Sequence, residues 1–69
     1  MTLDEYRRQI GWSLSEMARN AGIDFNTLKR AMDGESVSPQ TARKLAAAIS
    51  KALGETVRIA DIEGLNANL

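Results

Sequence analysis

Residues 12–34 constrain the fold most strongly, because they contain two helix signals with almost no chain between them. The Ser13 hydroxyl can accept from the backbone N–H of Glu16, whose carboxylate can accept in return from the N–H of Ser13. Gly22 suits the left-handed conformation that ends a helix, and Asp24 is a favourable N-cap for the next one. The sequence therefore predicts two short helices joined by a very tight turn.

Apolar residues recur at helical spacing in both segments. In the first they fall at i, i+3, i+4 and i+7, at Leu14, Met17, Ala18 and Ala21. In the second, Leu28, Ala31 and Met32 form the inner stripe. The opposite face of the second helix is left with polar and basic residues and an aromatic edge: Asn26, Lys29, Arg30 and Phe25.

Two helices joined by a turn of three to four residues that contains Gly form a helix-turn-helix, whose second helix is shaped for the DNA major groove. The segment also resembles the phage repressor and Cro type of helix-turn-helix, the XRE family, in the stretch SLSEMARNAGIDFNTLKRAMDG. The likeness extends over roughly residues 3–53. The resemblance implies an all-α fold, namely a compact lambda-repressor-like bundle of about five short helices. It also implies that the domain binds operator DNA, often as a dimer.

Two further helices have start and stop signals of the same kind. One is expected within residues 2–11, where Thr2 and Glu5 repeat the capping box, and a longer one within residues 38–54, where Ser38 precedes Pro39. We expect a single helix-turn-helix domain over residues 1–69, with a core in residues 2–54. The phase of the helices predicts three side chains inside that core: Leu28, Leu45 and Ile49.

Residues 55–69 form a less regular tail. Residues 56–59 alternate like a strand, residues 60–65 suit one turn of helix, and residues 66–69 are expected to fray. The tail has too many large apolar residues for a disordered end, so it either covers the core or forms an interface. We expect a weak homodimer through Val57, Ile59, Ile62 and Leu65.

The charge balance is unusual for a nucleic-acid-binding protein. Nine basic and nine acidic residues cancel, whereas such proteins usually carry a basic surplus. The distribution is uneven, with eight basic and six acidic residues before Glu55, and one basic and three acidic residues from Glu55 onward. A neutral chain also fits a different function, a helix-turn-helix scaffold used as a protein-interaction module, antitoxin-like or an assembly subunit, without specific DNA binding.

Enzymatic and membrane functions have little support. The absence of Cys and His removes disulfides, thiol nucleophiles, imidazole bases and the usual zinc ligands, so no enzyme activity, cofactor or metal site is expected. The longest apolar stretch falls short of the ~20 residues that a membrane span needs, and an acidic start is unlike a signal peptide. We therefore expect a cytoplasmic protein. The partner expected from the helix-turn-helix resemblance is double-stranded DNA.

The residue types on the second helix of the pair match the chemistry of base edges. Asn pairs with adenine, Arg or Lys with guanine, and an apolar side chain meets the thymine methyl. Mapped onto the family pattern, the residues at or beside the base-reading positions are Phe25, Asn26, Lys29 and Arg30. The alternative is that Asn26 and Thr27 only assist the cap and the two cations only complement the helix C-terminus.

Hydroxyls, backbone N–H groups and a guanidinium surround this helix and suit phosphate oxygens. The expected phosphate contacts are Ser13, Ser15, Thr27, Ser36, Ser38 and Arg43. Two positions depart from the family pattern: Leu14 replaces a Gln that helps hold DNA, and Met32 replaces a Glu that pairs with a basic residue of the first helix. The second departure leaves Arg7, the aligned basic residue, without the carboxylate expected at position 32, and predicts that Arg7 is free for solvent or phosphate.

Overall fold

The computed structural model describes residues 1–67, which form four α-helices, one 3-10 turn and a pair of two-residue strands. In chain order the elements are α1 (Leu3–Ile10), α2 (Leu14–Ala21), α3 (Phe25–Met32), β1 (Ser36–Val37), α4 (Pro39–Leu53), the 3-10 helix Ile59–Asp61 and β2 (Asn66–Ala67). The predicted helical bundle is confirmed, although the 3-10 turn takes the place of a fifth helix. None of the helices in this part of the chain is long and apolar enough to cross a membrane.

The predicted helix caps are present. Glu5 N donates to Thr2 Oγ1 at 3.2 Å while Thr2 N donates to Glu5 Oε1 at 2.9 Å, and Ser13 with Glu16 repeats the pair at 3.1 and 2.9 Å. These backbone hydrogen bonds to the carboxylates hold the pKa values of Glu5 and Glu16 below their ordinary values. The start of each helix is thus fixed by residues no more than three positions apart.

A three-residue turn joins α2 to α3. Gly22 ends α2 in the left-handed conformation, with φ +69°, and its N–H bonds to the carbonyls of Ala18 and Arg19. Ile23 N also bonds to Ala18 O at 3.0 Å, and Asp24 caps α3 by accepting from Asn26 N at 3.0 Å. The two helices therefore have little freedom to change their crossing.

The core lies between α4 and the other helices. Its largest fully buried side chains come from α2, α3 and α4: Met17, Leu28, Leu45 and Ile49, each with 0% relative exposure. The predicted burial of Leu28, Leu45 and Ile49 is confirmed. α4 contacts α1, α2 and the 3-10 turn, whereas α3 packs mainly against α2 and β1.

The tail covers this core, which is one of the two expected roles of its apolar residues. The expected extended stretch followed by a short helix is found in part, since residues 56–59 form no strand and the helical segment is the 3-10 turn Ile59–Asp61. Val57 is buried, and its backbone N–H donates to Ser50 Oγ at 2.8 Å while that hydroxyl also bonds to Ala46 O at 2.7 Å. The expected fraying at residues 66–69 is wrong for Asn66–Ala67, which pair with β1, whereas residues 68–69 lie outside the described part of the chain.

The four predicted dimer residues lie in the monomer core or pack against it. Val57 and Ile62 belong to the buried core, with 7% and 3% relative exposure, and Ile59 and Leu65 are half-buried against it. A contact with a second copy through Val57 or Ile62 would require those side chains to leave the monomer's own core. Their apolar character is explained by the fold.

Candidate nucleic-acid interface

The four predicted base-reading residues share the outer face of α3. Phe25, Asn26, Lys29 and Arg30 are exposed, while Leu28 on the opposite face is fully buried. At about 3.6 residues per turn, Phe25 and Lys29 form one row along the helix and Asn26 and Arg30 form a parallel row. This face thus presents an aromatic ring, an amide and two cations side by side.

These side chains have no partners within the described residues. The hydrogen bond at Asn26 uses its backbone N–H, and the ion pairs within residues 1–67 do not include Lys29 or Arg30. Phe25 keeps 40% relative exposure, which is high for a large aromatic residue. An exposed and unpaired set of this kind is available for a ligand.

Four of the six predicted phosphate contacts lie on α3 or on elements that contact it. Ser13 and Ser15 are exposed at the start of α2, which packs against α3. Ser36 is exposed on β1, which also contacts α3, whereas Thr27 is half-buried within α3 itself. The Ser13 oxygen is engaged as an acceptor from Glu16 N, which leaves the hydroxyl hydrogen to be donated.

The remaining two predicted phosphate contacts belong to α4. Arg43 is exposed one turn inside that helix. Ser38 is its N-cap, and the hydroxyl both donates to Thr41 Oγ1 at 3.0 Å and accepts from Thr41 N at 3.2 Å. The Ser38 hydroxyl would have to leave Thr41 in order to donate to a phosphate.

The prediction that Arg7 is free is wrong, because Asp4 supplies a carboxylate in place of the one missing at Met32. Its Nε and Nη2 donate to Asp4 Oδ1 at 3.0 and 2.8 Å, and its Nη1 donates to the Trp12 carbonyl at 2.9 Å. Arg8 binds the other Asp4 oxygen at 2.9 Å. The hydrogen bond from Arg7, together with the charges of both arginines, holds the pKa of Asp4 below its ordinary value. Arg7 thus ties α1 to the turn that leads into α2.

Sequence reasoning also missed an acidic residue on the exposed face of α3. Asp33 follows Asn26 by seven residues, about two helical turns, and is exposed at the C-terminal end of the same face. Glu35 is exposed just beyond it. The i, i+7 spacing was a visible signal for Asp33. These acids place negative charge beyond Lys29 and Arg30, at the C-terminal end of α3.

The family comparison agrees with this geometry. The helix-turn-helix family model matches residues 3–58, which include all four α-helices and the turn between α2 and α3. No curated protein and no solved structure was found to match the chain. The match covers well over half of the sequence, and it contains the segment that carries the resemblance to phage repressors and Cro. The chain therefore belongs to the helix-turn-helix family, in its XRE type.

Proposed function

We propose that this domain is a sequence-specific DNA-binding transcriptional regulator that docks α3 in the major groove of an operator. The observation that carries the proposal is the outer face of α3, where four side chains suited to base edges are exposed and unpaired. The XRE type of helix-turn-helix is a DNA-binding regulatory domain, which supports the same conclusion. A domain that only occupies its operator acts most simply as a repressor.

The two rows of side chains on α3 offer different chemical groups to the base edges. In one row Asn26 supplies the donor and acceptor that adenine requires, and Arg30 one turn later supplies the fork that fits guanine. In the other row Lys29 can also meet guanine, and Phe25 can contact a thymine methyl. Because Phe25 and Asn26 begin the helix, they are expected to lie deepest in the groove.

Contacts to the DNA backbone would hold α3 in register. The N-terminal turn of α2, with Ser13 and Ser15, provides hydroxyls and N–H groups near the positive end of the helix dipole. On the other side of α3, Ser36 offers a hydroxyl and Arg43 a guanidinium. Thr27 and Ser38 are weaker candidates, because Thr27 is half-buried and the Ser38 hydroxyl is engaged with Thr41.

A second function, the protein-interaction module, is favoured by one observation. The chain has no net charge, and acids lie at both ends of α3, with Asp24 before it and Asp33 and Glu35 after it. A neutral surface provides little of the sequence-independent attraction to phosphates on which DNA binding depends. Under this alternative the outer face of α3 would contact a protein.

A selection of bound duplexes from a random DNA pool at low salt separates the two functions. The proposed function predicts that successive rounds enrich one short motif, and that binding to that motif is tighter than binding to random duplex by a factor of ~10³ or more. Recovery of unrelated sequences whose binding disappears with added salt would instead favour the interaction module. The Asn26→Ala/Arg30→Ala double variant is the matched control, since it removes the proposed readout groups from an exposed face.

A further inference from the structure

The tail closes back onto the loop that follows α3. Beyond the residues matched by the family model, β2 pairs in parallel with β1, with Ser36 opposite Asn66 and Val37 opposite Ala67. Just before this pair, the carbonyl oxygen of Gly64 lies 4.0 Å from the position that a Cβ on Gly34 would occupy. The tail therefore adds a strand beside the loop that holds one of the proposed phosphate contacts.

The strand register decides which tail side chain faces outward. Successive side chains on a strand alternate between faces, and residues paired across a ladder share a face. Val37 is buried and its partner Ala67 is half-buried, whereas Ser36 and Asn66 are both exposed. Asn66 thus lies on the same face as Ser36, next to it. Glu35, which precedes Ser36, is exposed and lies outside both strands.

We propose that Asn66 is an additional DNA-backbone contact, whose side-chain amide donates to phosphate oxygens beside Ser36. This inference rests on the proposed function, because it extends the same interface by one strand. A neutral amide provides two N–H donors for a phosphate without reading the base sequence. The nearest acid on the tail, Glu63, lies 3.8 Å from the Met1 ammonium, which offsets its charge.

A charge substitution at Asn66 tests whether this side chain faces DNA phosphates. If Asn66 faces phosphates, Asn66→Lys adds one cation to the interface, and the slope of log K against log salt becomes steeper by ~0.9. Asn66→Ala should weaken binding to the selected motif and to random duplex alike, by roughly two- to tenfold, because a neutral backbone contact carries no sequence information. Thermal unfolding of each variant checks that β2 still pairs, since the ladder uses backbone groups.

Ala52→Lys is the matched control. Ala52 is exposed near the C-terminal end of α4, ~20 Å along the helix from Ser38, and a cation there adds the same net charge at the end of α4 that is far from Asn66. The inference is supported if only Asn66→Lys steepens the salt dependence, and overturned if both lysine variants match the wild-type slope or change it equally. If the wild-type protein selects no DNA motif at all, the proposed function itself is contradicted. That outcome is distinguishable from a failure of the Asn66 inference, in which the wild-type protein selects a motif but the Asn66 variants bind as it does.

Discussion

Asp4 shows how a single residue decides the role of its neighbours. It binds Arg7 through one carboxylate oxygen and Arg8 through the other, so both arginines of α1 are held by one acid a turn earlier. The Nη1 group of Arg7 donates to the Trp12 carbonyl, in the turn before α2. Its side chain is 22% exposed, against 72% for Arg8, so Arg7 serves the fold and only Arg8 has a largely solvated head group.

Single substitutions on α3 test base reading. Asn26→Ala and Arg30→Ala should each cost about 1–3 kcal/mol of binding free energy for the selected motif and relax the preference at one base position. Folding should barely change, because both side chains are exposed and make no described contact within the chain. The measurement is a titration of each variant against the motif and its single-base variants.

Lys51→Ala provides the control for these variants. It removes one positive charge from the exposed end of α4, outside the proposed reading helix, so any loss of affinity should be the same for the motif and for random duplex. If Asn26→Ala or Arg30→Ala weakens binding to the motif and to random duplex equally, that residue contacts phosphate, and the base-reading assignment is wrong.

At the scale of elements, the helices could be predicted from sequence and the strands could not. Each helix start depends on groups within three residues, such as Ser13 with Glu16, so the signal is local. The strand pair joins Ser36 to Asn66 across thirty positions, and two-residue strands have no periodicity to detect. The Arg7 pairing was missed for another reason: the family pattern suggested a partner on α3, whereas the i, i+3 partner Asp4 lies on α1 itself.

The attachment of the tail to α4 depends on Ser50. Its hydroxyl accepts from Val57 N and has one hydrogen to donate, for which Ala46 O at 2.7 Å is the nearer acceptor and Val57 O at 3.1 Å the farther one. Ser50→Ala therefore leaves the N–H of a buried residue without its acceptor. We expect a loss of about 1–3 kcal/mol in the free energy of unfolding, measured by urea denaturation. Ser15→Ala, at an exposed position in α2, should change stability far less. Equal effects of the two substitutions would show that the tail is held mainly by the packing of Val57 and Ile62.

The capping boxes predict how stability responds to acid. The pKa of Glu16 is lowered in the folded state by its hydrogen bond from the Ser13 backbone, so its contribution is fully present above the ordinary glutamate pKa of about 4.3 and is lost as the pH falls through the lower folded value. Glu16→Gln keeps an acceptor but does not titrate. The wild-type protein should therefore be the more stable of the two at pH 7, and the difference should shrink below pH ~4 in thermal unfolding curves. A difference that stays constant with pH would contradict this account.

At the scale of the whole molecule, the proposed base-reading surface, which is the outer face of α3, is small. One face of an eight-residue helix offers four side chains, which is few for the specificity that a regulator needs. Two copies on half-sites would double the reading surface. Because Val57 and Ile62 are buried in the core, a substitution such as Ile62→Glu would place a charge there and would report on folding and not on dimerisation.

Half-site spacing tests dimerisation without changing the protein. We predict that two copies bind a palindromic operator cooperatively when the half-site centres lie about one helical turn apart, ~34 Å. Inserting about half a turn of DNA, ~5 bp, rotates one half-site to the opposite side of the duplex, so a contact between the copies would break and cooperativity should disappear. Sedimentation of free and operator-bound protein gives the stoichiometry, and the free protein is expected to be mainly monomeric if the buried interface is below ~1,200 Å². Two copies that bind independently at every spacing would show that the domain acts as a monomer, and specificity would then depend on α3 and its flanking phosphate contacts alone.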